Sequence, residues 1–271
     1  MGGGIAQVCA AAGFAVVLVD TDVGALERAR TAIARGLGIA VSKGGLSKSE
    51  GERALSRLTG TPSFDALGSC DAVIEAIPEN TELKLGLFRD LDAIAPGAVF
   101  LASNTSSISI TALARATCRP ERVLGLHFMN PVPVMKLVEL VRGMHTSDAV
   151  VALGRTLAER LGKTVVVARD HPGFIVNRIL IPMINEAVFA LQEGVASAAE
   201  IDAAMRLGAN QPLGPLALAE LIGLDICLDI SELLHRELGE DKYRPCPLLR
   251  RQVAAGYLGK KTGRGFFRYP P

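Results

Sequence analysis

The sequence has no charge to spare. Against 29 Lys and Arg stand 28 Asp and Glu, a formal net charge of +1 over 271 residues. Such a balance gives neither a nucleic acid nor an anionic membrane a basic face to bind, so no nucleic-acid or membrane partner is expected and any bound anion must be held locally. No apolar run approaches 18 residues, and no basic segment precedes an apolar one, so neither a membrane span nor a secretory leader is expected. The cysteines are five, odd in number, widely spaced (Cys9, Cys70, Cys118, Cys227, Cys246) and without a C-x-x-C pair. That argues against a disulfide framework or a zinc knuckle and toward a reducing, cytoplasmic setting. No pair of the four histidines has metal-ligand spacing, and no metal is expected. "MGGGIA" lacks the Ser or Thr that myristoylation wants at position 6, and "GKKTG" near residue 260 lacks the upstream glycine of a phosphate loop.

What is present is core. With 49% hydrophobic side chains the chain can bury one or two domains' worth of interior. Up to about Arg169, short β-rich runs alternate with helical patterns, the signature of a mostly parallel sheet covered by helices. Strands are expected at 16–19, 58–61, 72–77, 99–102, 123–127, 136–141 and 164–167. Helices are expected after Gly2, at 22–36, at 80–95 and from Ser147 to Gly162. Beyond "DHPGF" the β signals stop and helices are expected at 173–194, 197–208, 215–239 and 247–256, the second opened by the capping box Ser197-x-x-Glu200. The division is therefore an α/β region at 1–170 and an all-α region at 171–271. Two of the later helices are apolar on more than one face, and a homodimer built on this region would cover them.

Ligands collect beyond the carboxyl ends of the strands of an open parallel sheet. At the first, "AVVLVD" ends at Asp20, 18 positions after Gly2. This is about the spacing of a ribose-binding acid from the third glycine of a dinucleotide-binding turn, G-x-G-x-x-G. A carboxylate there favours NAD over NADP, while a plain helix N-cap explains an acid at 20–22 equally well. Neither the preceding strand nor the first two glycines stands before Met1. The expectation is a motif entered late, with a chain that is poorly soluble or binds NAD weakly by itself. At "EAIPEN", Glu79 would lie on a cofactor's path and Lys84 could reach a hydroxyl, or both could be a solvated helix start. At "ASNTSSISI", Asn104 and Ser106 could hold cofactor and substrate oxygens, or merely cap a helix. In "GLHFMNPVPVMKLVELV", His127 and Glu139 are equally distant from Pro133, so an antiparallel return sets them side by side as an acid/base pair.

Taken together, "ASNTSSISIT", "GLHFMNPVPVMKLVELV", "DHPGFIVNRILIPMINEA", "GANQPLGPLALAELIGLD" and "KYRPCPLLRRQVAAGYLGKKTGRGFF" resemble the 3-hydroxyacyl-CoA dehydrogenases, closest to the 3-hydroxybutyryl-CoA dehydrogenases, over essentially the whole chain. The resemblance implies a Rossmann-like NAD-binding domain, N-terminally truncated as written, followed by an α-helical dimerisation domain. It also implies interconversion of (S)-3-hydroxyacyl-CoA and 3-ketoacyl-CoA with NAD, as in fatty acid metabolism. By resemblance, His127 is the base, Glu139 its orienting carboxylate, and Ser106 and Asn177 touch substrate. Gly2, Asp20, Glu79, Lys84 and Asn104 fall on the cofactor side, and Lys43 in "VSKGG" meets the CoA phosphates. The serine that accompanies that lysine in the family is Gly36 here. Two other readings compete: a folded dimeric scaffold that no longer holds NAD, and a dehydrogenase of another hydroxyacid on the same fold.

Overall fold

Gly2 to Cys9 places apolar side chains at helical spacing, and Gly13, at φ 97°, ends that helix with a turn that costs a side-chain-bearing residue strain. The computed structural model describes residues 1–269. They fall into two compact units, Met1–His171 and a second from Pro172 onward.

The first unit runs α1 (Gly2–Ala11), β1 (Val16–Val19), α2 (Val23–Ser42), α3 (Lys48–Ser56), β2 (Leu58–Thr61), β3 (Ala72–Glu75), α4 (Thr81–Ile94), β4 (Phe100–Ser103), α5 (Ile110–Ala114), β5 (Val123–Phe128), β6 (Leu137–Arg142), α6 (Asp148–Arg160) and β7 (Thr164–Arg169). β1 and β2 pair in parallel as a two-stranded sheet. The other five strands follow in the order β3-β4-β5-β6-β7, parallel throughout except where β6 returns antiparallel to β5. β4 and β5 are buried along their whole length, as strands covered on both faces must be. Phe100, Ala102, Leu124, Leu126 and Leu140 pack there against Ile5 of α1 and Val150 and Ala158 of α6. α6 comes close because Gly154 has no side chain: a Cβ there would stand 2.5 Å from Leu124 Cδ1.

The expected α/β order holds, with two differences. α2 continues past Gly36 to Ser42, because Leu26, Ile33 and Leu37 carry one buried stripe through the glycines and outweigh their low helix propensity. α3 was not expected, although Ser47 and Glu50 form a complete capping box at its start.

The second unit is helical among the described residues: α7 (Val176–Gln192), α8 (Ala198–Gly208), α9 (Pro215–Ile222), α10 (Leu224–Leu238) and α11 (Pro247–Ala254). The single helix expected over 215–239 is two, broken at Gly223, whose φ of 111° no regular helix allows. Ile181, Ile184, Val188, Leu216, Leu224, Leu234 and Leu249 form its core. No described helix is long and apolar enough to cross a membrane.

Candidate active site

Antiparallel pairing puts His127 of β5 directly opposite Glu139 of β6, the register that the symmetric spacing about Pro133 predicts. Both side chains are buried, and His127 Nδ1 lies 2.7 Å from Glu139 Oε2. A carboxylate accepting from Nδ1–H fixes the tautomer with Nε2 as the proton acceptor and steadies the imidazolium once Nε2 is protonated. The turn that makes this return possible is itself held: the buried Lys163 ammonium donates to the carbonyls of Val132 and Met135 at 2.5 and 2.8 Å.

Beside β5, the loop leaving β4 carries the hydroxyl cluster. Asn104 is tied on both sides: its N–H donates to the Glu75 carbonyl, and its Oδ1 accepts from the Phe128 N–H, next to His127. The helix cap in this stretch is Ser109, which accepts from Ala112 N–H, so Asn104 and Ser106 are not the capping residues. Glu79 gathers the rest of the loop. Its Oε1 accepts from Thr105 Oγ1 at 2.5 Å, Ser106 N–H at 3.0 Å, Ser106 Oγ at 3.4 Å and Ser107 Oγ at 2.8 Å. Burial raises the Glu79 carboxyl, but the Thr105 hydrogen bond, the Lys84 charge and the Ser107 and Ser106 donors outweigh it and hold the group below its ordinary value.

Lys84 is 1% exposed, on the α4 stripe that also buries Phe88 and Leu91. Its ammonium sits 2.5 Å from Glu75 Oε1, 3.1 Å from the Ile77 carbonyl and 3.3 Å from Glu79 Oε2. Two further residues complete this cluster. Glu75, 3% exposed, and Ser103 belong to the same cluster, and Ser103 Oγ donates to Glu75 Oε2 at 2.6 Å. The signal was available: alternation along β3 puts Glu75 on the same buried face as Val73, and a charge on a core face demands a partner.

Of the two acids, it is Asp22 and not Asp20 that caps the helix. Asp22 is the N-cap of α2, accepting from Gly24 N–H and pairing with Arg28, while Asp20 closes the end of β1 and accepts from Asp22 N–H. The amino end of α1 lies beside the segments that leave β3 and β5: a Cβ at Gly2 would be 3.8 Å from Ala76 Cβ, and one at Gly4 would be 3.1 Å from Val132 Cβ. α1 opens on Gly2, Gly3 and Gly4 with no acid in its first turn, so the positive end of the helix suits a phosphate. Lys43 is the exposed residue that ends α2. At Gly36 a Cβ would meet Gln7 Oε1 at 2.5 Å, so Gln7 occupies the space a serine side chain would need. Asn177 lies in the first turn of α7, in the second unit. Among the described residues no three His, Cys, Asp or Glu are grouped to hold a metal.

A carboxylate at the end of β1 and an uncapped, glycine-led helix suit a dinucleotide, and the imidazole held by a buried carboxylate is equipped to move a proton. The class is an NAD-dependent oxidoreductase. The sequence pattern described as 3-hydroxyacyl-CoA dehydrogenase, NAD binding domain, matches residues 1–171, and that of 3-hydroxyacyl-CoA dehydrogenase, C-terminal domain, matches 173–269. The chain belongs to this family. It is 51% identical to a probable 3-hydroxybutyryl-CoA dehydrogenase of Bacillus subtilis, covering 99% of this chain and 94% of that one. It is 52% identical to the 3-hydroxybutyryl-CoA dehydrogenase of Bradyrhizobium diazoefficiens, covering 99% and 92%. The crystal structure of the (S)-3-hydroxybutyryl-CoA dehydrogenase of Ralstonia eutropha superposes with a TM-score of 0.97 at 50% identity, covering 100% of this chain and 96% of that one.

Proposed function

We propose that the protein oxidises (S)-3-hydroxyacyl-CoA, with 3-hydroxybutyryl-CoA the leading candidate, to the 3-ketoacyl-CoA, or runs the reverse reduction. The observation that carries this reading is the buried His127–Glu139 pair, 2.7 Å apart, at the carboxyl end of β5. In oxidation, Nε2 of His127 takes the proton of the C3 hydroxyl as the C3 hydride departs, and Glu139 stabilises the imidazolium that forms. In reduction the imidazolium returns that proton. Bound NAD supplies the hydride acceptor.

Asp20 would take the adenosine ribose, the amino end of α1 at Gly2 the phosphates, and the Glu79–Asn104 side of the site the nicotinamide end, with Lys84 as the charge that places Glu79. Ser106 would hold the substrate oxygen. Asn177, as a second substrate contact, and Lys43, as a contact to CoA phosphates, enter on the family resemblance. The assembly proposed is a homodimer in the cytoplasm. Its support is the apolar surface of the second unit, where Leu207 is 84% and Ile179 66% exposed.

The test is a spectrophotometric assay of the purified chain with NADH and acetoacetyl-CoA, set against free 3-ketoacids, with NADPH as the alternative cofactor, and light scattering for the oligomer. Turnover of acetoacetyl-CoA with NADH, and yield of the S product alone, is expected. Reduction of the free acids at equal rate would move the substrate class away from CoA thioesters, and a folded chain without turnover would favour the scaffold reading.

A further inference from the structure

Glu75 is a buried charge beside the site and has no part in the proton transfer just described. Its carboxylate is used on both oxygens. Oε1 accepts from the Lys84 ammonium at 2.5 Å and from Ile77 N–H at 2.8 Å, while Oε2 accepts from Ser103 Oγ at 2.6 Å. Each arm leads on. Lys84 reaches Glu79 Oε2 at 3.3 Å, and Ser103 Oγ accepts from Thr105 N–H at 3.1 Å. The two arms converge, because Thr105 Oγ1 donates to Glu79 Oε1. Glu75, Lys84, Glu79, Thr105 and Ser103 thus form a closed ring of hydrogen bonds and ion pairs, anchored in β3, α4 and β4 and opening outward at Glu79.

We propose that Glu75 is a positioning residue of the dehydrogenase site, whose buried carboxylate sets where the Glu79 carboxylate and the Thr105–Ser106 loop stand by holding Lys84 with one oxygen and Ser103 with the other. This rests on the reading of the site given above. The charge arithmetic supplies the reason. Lys84 stands between two carboxylates, and the closer and more deeply buried one takes most of its attraction. The other, Glu79, therefore keeps its bonds to Thr105, Ser106 and Ser107. Without the Glu75 charge, Glu79 becomes the sole carboxylate partner of Lys84 in this cluster and is drawn inward, off the loop.

The experiment is a double-mutant cycle on the full-length chain, using Glu75→Gln, Glu79→Gln and the pair, read by NADH binding fluorescence and by KM and kcat with acetoacetyl-CoA. Glu75→Gln is expected to weaken NADH binding about tenfold, with less than about a threefold loss of saturated kcat. In the Glu79→Gln background the same change is expected to add less than about twofold, because the group it positions is already gone. A merely structural Glu75 would instead give additive losses or a lowered melting temperature with unchanged NADH affinity, and either result overturns the proposal. Should Glu75→Gln fail to fold, Ser103→Ala cuts the second arm without altering any charge. It is expected to raise the KM for acetoacetyl-CoA about fivefold at an unchanged melting temperature, and an unchanged KM would overturn the proposal. Turnover by the parent chain is the separate control. Its absence would bring down the reading of the site and this inference with it, whereas an active parent with an indifferent Glu75→Gln would remove only the role of Glu75.

Discussion

Glu139→Gln tests the acid/base pair with the least change of shape. Glutamine fills the same volume beside His127 and keeps a carbonyl that can accept from Nδ1–H, so what is lost is one buried charge. At the observed separation of 2.7 Å, and an effective dielectric constant of about 20, a carboxylate attracts an imidazolium by ~6 kcal/mol. The neutral hydrogen bond that glutamine retains returns roughly 1–2 kcal/mol of this. The imidazolium state is then less stable by ~4 kcal/mol, and a transition state carrying half or more of that charge is slowed about 30- to 1000-fold. The neutral imidazole, which is the form that receives substrate in the oxidation direction, loses little.

The expected signature is therefore a kcat for (S)-3-hydroxybutyryl-CoA oxidation down by about 10² at a KM changed less than about threefold, since binding of the ground state does not use the charge. Initial rates of NADH appearance at 340 nm, with a thermal melt to establish folding, measure both. A folded Glu139→Gln variant with kcat within about fivefold of the parent would refute the assignment of the pair, because ~1 kcal/mol is what an ordinary buried hydrogen bond supplies.

Asp20→Ala is expected to lose at least about tenfold of any NAD over NADP preference with little change in melting temperature, whereas Asp22→Ala should lower the urea midpoint as a lost N-cap and leave cofactor choice alone; kinetics with both cofactors and urea unfolding separate the two. Because the folded state holds the Glu79 carboxyl below its ordinary value of 4.5, its contribution to stability is present above that pH and is lost as pH falls through the lower, folded value. The melting-temperature gap between the parent and Glu79→Gln should accordingly close on acidification below about 4.5, and a gap that widened there would reverse the assignment. Gly154→Ala puts a methyl group 2.5 Å from Leu124 Cδ1 and should destabilise by about 1–3 kcal/mol in urea unfolding, since α6 has no room to receive it. Burial pushes the Cys9 thiol up to about 11 and burial beside Asp225 pushes Cys227 to about 12, so an aromatic disulfide reagent at neutral pH should modify the exposed Cys118 first and reach those two only on unfolding.

The strands were legible as short β-rich runs bounded by turn residues: Phe100–Ser103 and Val123–Phe128, buried on both faces, stand within a residue of where those runs do, and so do the less buried Val16–Val19 and Leu58–Thr61. The His127–Glu139 register was legible because an antiparallel return has a midpoint, and Pro133 is equally far from both residues. Glycine misled in two directions. Gly36 reads as a helix stop, yet the stripe through Leu26, Ile33 and Leu37 carries α2 past it; Gly223 reads as one more helical position, yet its φ of 111° ends α9. Propensity is a local quantity, and tertiary burial overruled it in the first case. What no pattern carries is which hydroxyl meets which carboxylate oxygen: the donors to Glu79 come from residues 26 to 28 positions away and are brought to it by the pairing of β3 with β4.

The Glu75–Lys84 pair shows why such residues are hard to assign from sequence alone. Two charges taken out of water recover their desolvation only with close geometry and further hydrogen bonds, and an apolar pair of similar size in the same place is often as stable or more so. By stability alone, a valine-like residue continuing the buried face of Val73 and a methionine-like one on the stripe of Phe88 and Leu91 would serve β3 and α4 at least as well. The sequence pattern accordingly asks for apolar residues at both positions. What ions do that apolar groups cannot is fix the direction of a third polar group, and the third group here is Glu79, the member of the ring whose side chain remains more than a third exposed. Charges at core positions of a strand and its following helix, two polar links from a loop of hydroxyls, are thus to be read together with that loop, as the inner half of one site.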